Sequence, residues 1–280
     1  MKKILFAVAC CIMAISSLAQ EKGRFEVHDF GNFKLHVYYS NDVMSDASYI
    51  VEGQNGLVAM EYPLFKVNAA EFDQYIKALG KPVELVITDY HEGGSGNLPQ
   101  AMAEGMPEFM KGAIYGGMVE NFKHAFGDSM VELPTGKAEE VPFGSTRNWV
   151  GVPFKFMHGP KSDFPAASIL IGGKAYYTHW TPSKAHISPL QVSSAAAIDA
   201  EIADAENALK SGAELFIGGH GGAANADAVE FKVAYLKTIK KLLAENKTQE
   251  SFIDAVKKAF PSLPGENNLP GLAKALYPAK

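Results

Sequence analysis

The sequence predicts an α/β protein in which two β-sheets pack together and helices lie outside them. Three observations carry this expectation. The chain has 280 residues, of which 47% are hydrophobic and 11% aromatic, enough for one large core. Strands and tight turns fill two separate blocks, and each block ends in helices. Several strands finish in a histidine followed by glycine, as expected where loops converge on one face of a sheet sandwich.

The N-terminus stands apart. Lys2 and Lys3 precede an apolar run from Ile4 to Ile15, which is followed by Ser16-Ser17-Leu18-Ala19. Residues 1–19 therefore read as a secretory signal peptide cut after Ala19, and a secreted or periplasmic protein is expected. No later segment approaches 18 uninterrupted apolar residues, so no membrane span is expected in the mature chain. Cys10 and Cys11 both fall in the signal, which leaves the mature chain without disulfide or thiolate chemistry. Losing Lys2 and Lys3 takes the net charge from −5 to −7, two positive charges fewer. That acidic balance argues against nucleic acid or an anionic membrane as partner and leaves a small molecule.

Residues 20–246 read as one domain. RFEVHDFGNFKLHVYY alternates around Gly31-Asn32, and SYIVEGQNGLVAMEY turns at Gln54-Asn55-Gly56, so both suit hairpins. A helix follows with Asn68 as its expected cap, Glu71 three residues on, a stripe of Phe72, Tyr75, Ile76 and Leu79, and Gly80 as its stop. ELVIT is a buried strand, and FKFMHG, ASILIGG, KAYYTHW and ELFIGGHGG are further strands. Helices are expected over Ser194–Lys210 and Ala226–Glu245, the second with Val229, Val233, Leu236, Ile239 and Leu243 on one face. Residues 100–150 show no clear period. Residues 247–280 form a tail of short helices broken by Pro261 and Pro264, expected to pack on the domain.

The chemistry lies in the strand ends. ELVITDYHEGG, VPFKFMHGP and ELFIGGHGG share the order strand, histidine, glycine, and KAYYTHW ends a strand with His179. Asp89 and His91 stand at i, i+2, which on an extended backbone points both the same way and suits two ligands on one ion. With His158, His179 or His220 they would make a nitrogen and carboxylate donor set for a divalent metal. Glu92, next to His91, is a candidate base. His28, His36 and His124 read as structural, and His186 as lining a pocket or exposed. Tyr90, Tyr176, Tyr177 and Trp180 could wall a ligand cleft or belong to the core.

From about residue 47 to 245 this pattern resembles the metallo-beta-lactamase superfamily, whose fold is an αββα sandwich. The family's first motif, T-H-x-H-x-D-H, falls on Thr88-Asp89-Tyr90-His91-Glu92-Gly93-Gly94. The strand GLVAMEY matches the one that ends in an acidic residue supporting the site, here Glu61. The family's later metal ligands fall on His158, His179 and His220, with His179 standing where the family has a bridging Asp. The resemblance implies zinc and hydrolysis. Gly93 and Gly94 replace the Asp and His that hold the family's second ion, so one ion is expected rather than two. The expected ligands are Asp89, His91, His158, His179 and His220, with Asp89, His91, Glu92 and His220 as the catalytic set. The alternative is a catalytically inactive protein that binds a ligand in the same cleft.

Overall fold

The computed structural model describes residues 22–160 and 165–277. The expected signal segment 1–19 lies outside the described residues. Chain order opens with the hairpins β1 (Arg24–Asp29) and β2 (Lys34–Tyr39), then β3 (Ala47–Glu52) and β4 (Leu57–Met60). α1 (Lys66–Leu79), β5 (Val83–Ile87), β6 (Gln100–Ala103), α2 (Met106–Met110), α3 (Ala113–Phe126) and β7 (Ala138–Val141) complete the first half. β8 (Thr146–Trp149), β9 (Val152–His158), β10 (Ala167–Ile171) and β11 (Ala175–Trp180) open the second. α4 (Ala195–Lys210), β12 (Leu215–His220), β13 (Gly222–Ala224), α5 (Ala226–Glu245), α6 (Gln249–Ala259) and α7 (Leu269–Leu276) close it.

The strands form two mixed sheets. The first runs β1 to β7 in order, antiparallel through β4 and parallel from β4 to β7. The second has the order β13-β12-β11-β10-β9-β8, with β11 and β12 parallel. Alternation puts Val37, Tyr49, Val51 and Met60 on the inner face of the first sheet, against Phe154, Phe156, Ile169 and Ile217 from the second. All eight are fully or almost fully buried, and each large side chain of this kind contributes about 1.5–3 kcal/mol. α1 covers the outer face of the first sheet through Phe72. α4 and α5 cover the second through Ala205, Ala208 and Val229. The architecture is the predicted sandwich with helices outside.

Local signals account for most boundaries. Ser194, Asn225 and Thr248 cap α4, α5 and α6 by accepting from backbone N–H groups of the first turn. Gly80 ends α1 with φ 68, a left-handed turn that suits glycine. The start of α1 differs from expectation: it begins at Lys66, and Asn68 lies buried inside it. The Asn68 amide donates to the Tyr38 hydroxyl (3.0 Å) and the Ser40 carbonyl (2.7 Å), so a tertiary bond has taken the side chain from the cap. Beyond residue 247, α6 and α7 bury Phe252, Val256, Leu269 and Leu272 with Leu236 and Ile239 of α5.

Two bridges between elements place the site. Asp204 on α4 accepts from Ser168, Tyr176 and Thr178, at 2.7, 2.9 and 3.0 Å, and so holds β10 and β11 beneath the helix. The Tyr49 hydroxyl lies 2.6 and 2.8 Å from the carbonyls of Gly218 and Gly222 and accepts from the Gly218 N–H at 3.1 Å. It thereby pins the end of β12 to the first sheet. Both bridges lead to a histidine.

Candidate metal centre

The ends of β5, β11 and β12 meet at one edge of the sandwich. His179 closes β11 and His220 closes its parallel neighbour β12, where Trp180 pairs with His220. His91 arrives four residues past β5 on a turn built around Glu61. That carboxylate accepts from the N–H groups of Asp89 (2.7 Å) and His91 (2.9 Å), and Tyr90 N lies 3.2 and 3.3 Å from its two oxygens. Three successive N–H groups reach one anion only if the backbone curls around it. Glu61 itself sits at φ 52, an uncommon value for a residue with a side chain.

Among the described residues, one group of three side chains has its ligand atoms within 4.8 Å of one another: His91, His179 and His220. The Nε2 atoms of His91 and His220 are 3.1 Å apart. Two nitrogens at zinc-bond length from one tetrahedral ion would stand about 3.3 Å apart, so this spacing fits a shared ion. The rings are held by stacking. Tyr90 lies flat on His179 at 4.0 Å and 4°, and Trp180 stacks on His220 at 4.2 Å. Gly219 makes room: a Cβ there would lie 2.5 Å from His91 Cε1 and 2.8 Å from its Nδ1.

Electrostatics favour the form that binds metal. Burial, then the neighbouring imidazoles, hold His91 well below the usual histidine range. Burial does the same for His179, aided by His220 and Lys232. Both rings are thus neutral at pH 7, with lone pairs free for a cation. His91 Nδ1 is buried without a hydrogen-bond partner and lies 3.5 Å from Glu61 Oε2. His220 Nδ1 faces the Met44 carbonyl at 3.2 Å and Asp46 Oδ1 at 2.9 Å. The donor set therefore fits a divalent transition metal.

The structure does not bring Asp89 or His158 into this group. Asp89 is buried and its Oδ1 accepts from Ala167 N–H of β10 at 2.9 Å, tying the two sheets together. The i, i+2 geometry expected of Asp89 and His91 needs an extended backbone, and the curl around Glu61 removes it. Burial and the charge of Glu61 push the Asp89 carboxyl well above the usual carboxylate range. His158 is exposed at the end of β9, with its ring stacked on Phe143 at 4.0 Å. It borders an open groove of about 550 Å³ beside α4 that includes Lys155, Tyr176 and Lys210. Tyr176 and Tyr177 are core residues facing opposite sides of β11, whereas Tyr90 and Trp180 flank the imidazoles.

Glu92 follows His91 in the chain, and its carboxylate accepts from the Tyr115 hydroxyl of α3 at 2.5 Å. Burial raises its pKa, and the Tyr115 bond opposes that rise. His36 and His186 are buried and bonded to Tyr75 and Tyr235, away from the centre. Asp46 and Tyr115 had no signal in the sequence. Each stands in a polar or aperiodic stretch far from any strand–histidine pattern, and only the fold brings it to the site.

Gly93 and Gly94 gain a physical reading here. A Cβ at Gly93 would stand 1.8 Å from the Tyr62 carbonyl oxygen, and one at Gly94 would meet Val131 Cγ1 at 2.9 Å. Backbone occupies the space that a side chain at 93 would need. Gly93→Asp is therefore expected to cost about 3 kcal/mol or more by overpacking. It should leave zinc stoichiometry unraised, as urea unfolding and equilibrium dialysis would show. A stable variant that takes up a second ion would contradict this.

Neither a family model nor a curated protein matches this sequence. Solved structures do. The inverting sec-alkylsulfatase Pisa1 from Pseudomonas sp. has a TM-score of 0.56 at 17% identity over 86% of this chain. This chain spans about half of that structure, 48%. An archaeal metallo-beta-lactamase superfamily protein from Sulfolobus tokodaii has a TM-score of 0.53 at 13% identity, covering 86% of this chain and 98% of its own. A metallo-beta-lactamase family protein from Thermus thermophilus has a TM-score of 0.52 at 13% identity, covering 93% and 92%. These likenesses establish the metallo-beta-lactamase fold, the αββα sandwich the sequence predicts.

Proposed function

We propose that this chain is a metal-dependent hydrolase with a mononuclear centre in which His91, His179 and His220 hold the ion. The observation that carries the reading is the convergence of three imidazoles, two of them kept neutral by burial, within 4.8 Å at one edge of the sandwich. An all-nitrogen set suits zinc better than magnesium or calcium, which prefer oxygen. When bound there, zinc would supply Lewis acidity toward water and a carbonyl or ester. The protein supplies the rest. Tyr90 and Trp180 fix two rings and keep water from their faces, and Glu61 holds the turn that carries His91. Glu92, adjacent to His91 and held by Tyr115, is the carboxylate placed to take a proton and return it to a leaving group. The N-terminal pattern supports export, so we place this activity outside the cytoplasm.

The test is a panel of uncharged esters, thioesters, lactones and lactams offered to the zinc-loaded protein. Hydrolysis of at least one class should vanish with chelator and return with zinc. His179→Ala should lower the rate at least 100-fold, and His158→Ala should leave it within about threefold. If His158→Ala abolishes hydrolysis while His179→Ala does not, the ion has been assigned to the wrong residues. Tight zinc binding with no turnover of any class would favour the ligand-binding alternative.

A further inference from the structure

The loop from Ser40 to Asp46 joins β2 to β3 and is built with unusual care for a polar connection. Asp42 Oδ1 accepts from the N–H groups of Met44 (2.8 Å) and Asp46 (3.2 Å). The Ser40 hydroxyl donates to the Asp46 carbonyl at 2.7 Å, and the Ser40 N–H donates to the same oxygen at 3.2 Å. Asn41 and Ser45 both adopt left-handed backbone, at φ 54 and 57, although neither is glycine. Such conformations cost energy and persist where the surroundings fix them, often at functional sites. Here the outcome of that conformation is specific. Gly221 N–H donates to the Ser45 carbonyl at 3.1 Å, and Asp46 forms a β-bridge with His220.

The tip of the loop thus sets a carbonyl acceptor and a buried carboxylate oxygen, itself without a hydrogen bond, against one ring nitrogen. The Met44 carbonyl and Asp46 Oδ1 lie 3.2 and 2.9 Å from His220 Nδ1. With the Met44 carbonyl as its acceptor and the Asp46 carboxylate oxygen beside it, Nδ1 carries the proton, and Nε2 is left with the lone pair on the side of His91 Nε2, 3.1 Å away. The Asp46 side chain is only 9% exposed, so its contact with His220 is little diluted by water. A carboxylate behind a histidine fixes the ring's tautomer and direction and raises its basicity as a ligand.

We infer that Asp46 is the positioning residue of the metal centre, orienting His220 and strengthening it as a ligand through Nδ1. This rests on the three-imidazole reading proposed above. It assigns a role to the β2–β3 loop, which reaches the imidazole group at His220.

Cobalt(II) serves as the probe, because its visible absorption reports ligand geometry as well as occupancy. The unmodified protein should bind one cobalt ion with an absorption pattern typical of low coordination number. Asp46→Ala should bind 10- to 100-fold more weakly, with a shifted or weakened visible band, while thermal melting of the metal-free protein confirms that it is folded. Asp46→Asn keeps an acceptor oxygen in the same place and should recover part of the affinity and most of the band. An Asp46→Ala protein that matches the unmodified protein in affinity and spectrum overturns the assignment. So does an Asp46→Asn protein that is weakened as much as Asp46→Ala with the band unchanged, because that pattern marks a merely structural role. If the unmodified protein binds no cobalt, the three-imidazole reading fails as well, and the Asp46 variants are not needed to show it. If Asp46→Ala fails to fold, the Asp46→Asn comparison decides alone.

Discussion

Replacing Glu61 with Ala is expected to destabilise the metal-free protein by about 3–9 kcal/mol at pH 5, because three buried N–H groups lose their acceptor at about 1–3 kcal/mol each. The N–H groups belong to Asp89, Tyr90 and His91, so the same change releases the turn that carries a proposed ligand. A second effect opposes this at higher pH. Burial raises the Glu61 carboxyl to about 7 in the folded protein, against the pull of Tyr177 and the three N–H groups. Between the unfolded value near 4.5 and that folded value, the folded state binds more protons than the unfolded one. Stability of the unmodified protein therefore falls as pH rises through this window, and the penalty is fully present above it. Removing the carboxyl relieves the penalty, so the loss caused by Glu61→Ala should be smaller at pH 8 than at pH 5. Urea unfolding of both proteins at the two pH values measures this. A loss below about 1 kcal/mol at pH 5, or a loss that grows with pH, would show that the carboxylate does not hold the turn as described.

The second large effect lies behind the site. Lys232 Nζ on α5 is 2.6 Å from Glu201 Oε2 on α4, and the two side chains are only 6% and 8% exposed. Lys232→Met should cost about 3–5 kcal/mol, since it leaves a carboxylate buried without its counter-charge. Lys232→Met combined with Glu201→Leu should recover most of that loss, because two apolar groups need no partner. A double variant no more stable than the single one would mean that packing, rather than charge, carries the cost. The pair also matters to function. α4 bears Asp204, which holds Thr178 next to His179, so loosening the α4–α5 contact should weaken zinc binding too.

Much of this was legible in the sequence, for physical reasons that differ by element. The hairpins were readable because Gly31-Asn32 and Gln54-Asn55-Gly56 interrupt strict alternation, and the structure turns at both places. Three of the five expected ligands meet: His179 and His220 end the parallel neighbours β11 and β12, and His91 reaches them from the turn after β5 of the other sheet. Asp89 stands outside the imidazole group because side-chain direction follows the backbone, and nothing local announces that Glu61, 28 residues earlier, curls the chain. His158 stands apart for the opposite reason: its strand ends at the same edge, but its ring stacks on Phe143. Asn68 carries a good cap signature that a tertiary bond to Tyr38 overrides. α2 and α3 are hard to read because Gly105, Gly112, Gly116 and Gly117 interrupt the stretch, although Phe122 and Phe126 of α3 pack against Leu64 and Phe65. Asp46 could not be found at all, since its partner lies 174 positions away and only the β-bridge brings them together.

The central proposal is that three imidazoles hold one ion and that the described residues offer no second group of this kind. Equilibrium dialysis of the unmodified, chelator-treated protein against zinc tests it most directly. Saturation is expected at one ion per chain, because His91, His179 and His220 are the one group of three such side chains with ligand atoms within 4.8 Å of one another among the described residues, and backbone fills the space at Gly93. Saturation at two ions, or no bound zinc at all, would contradict it.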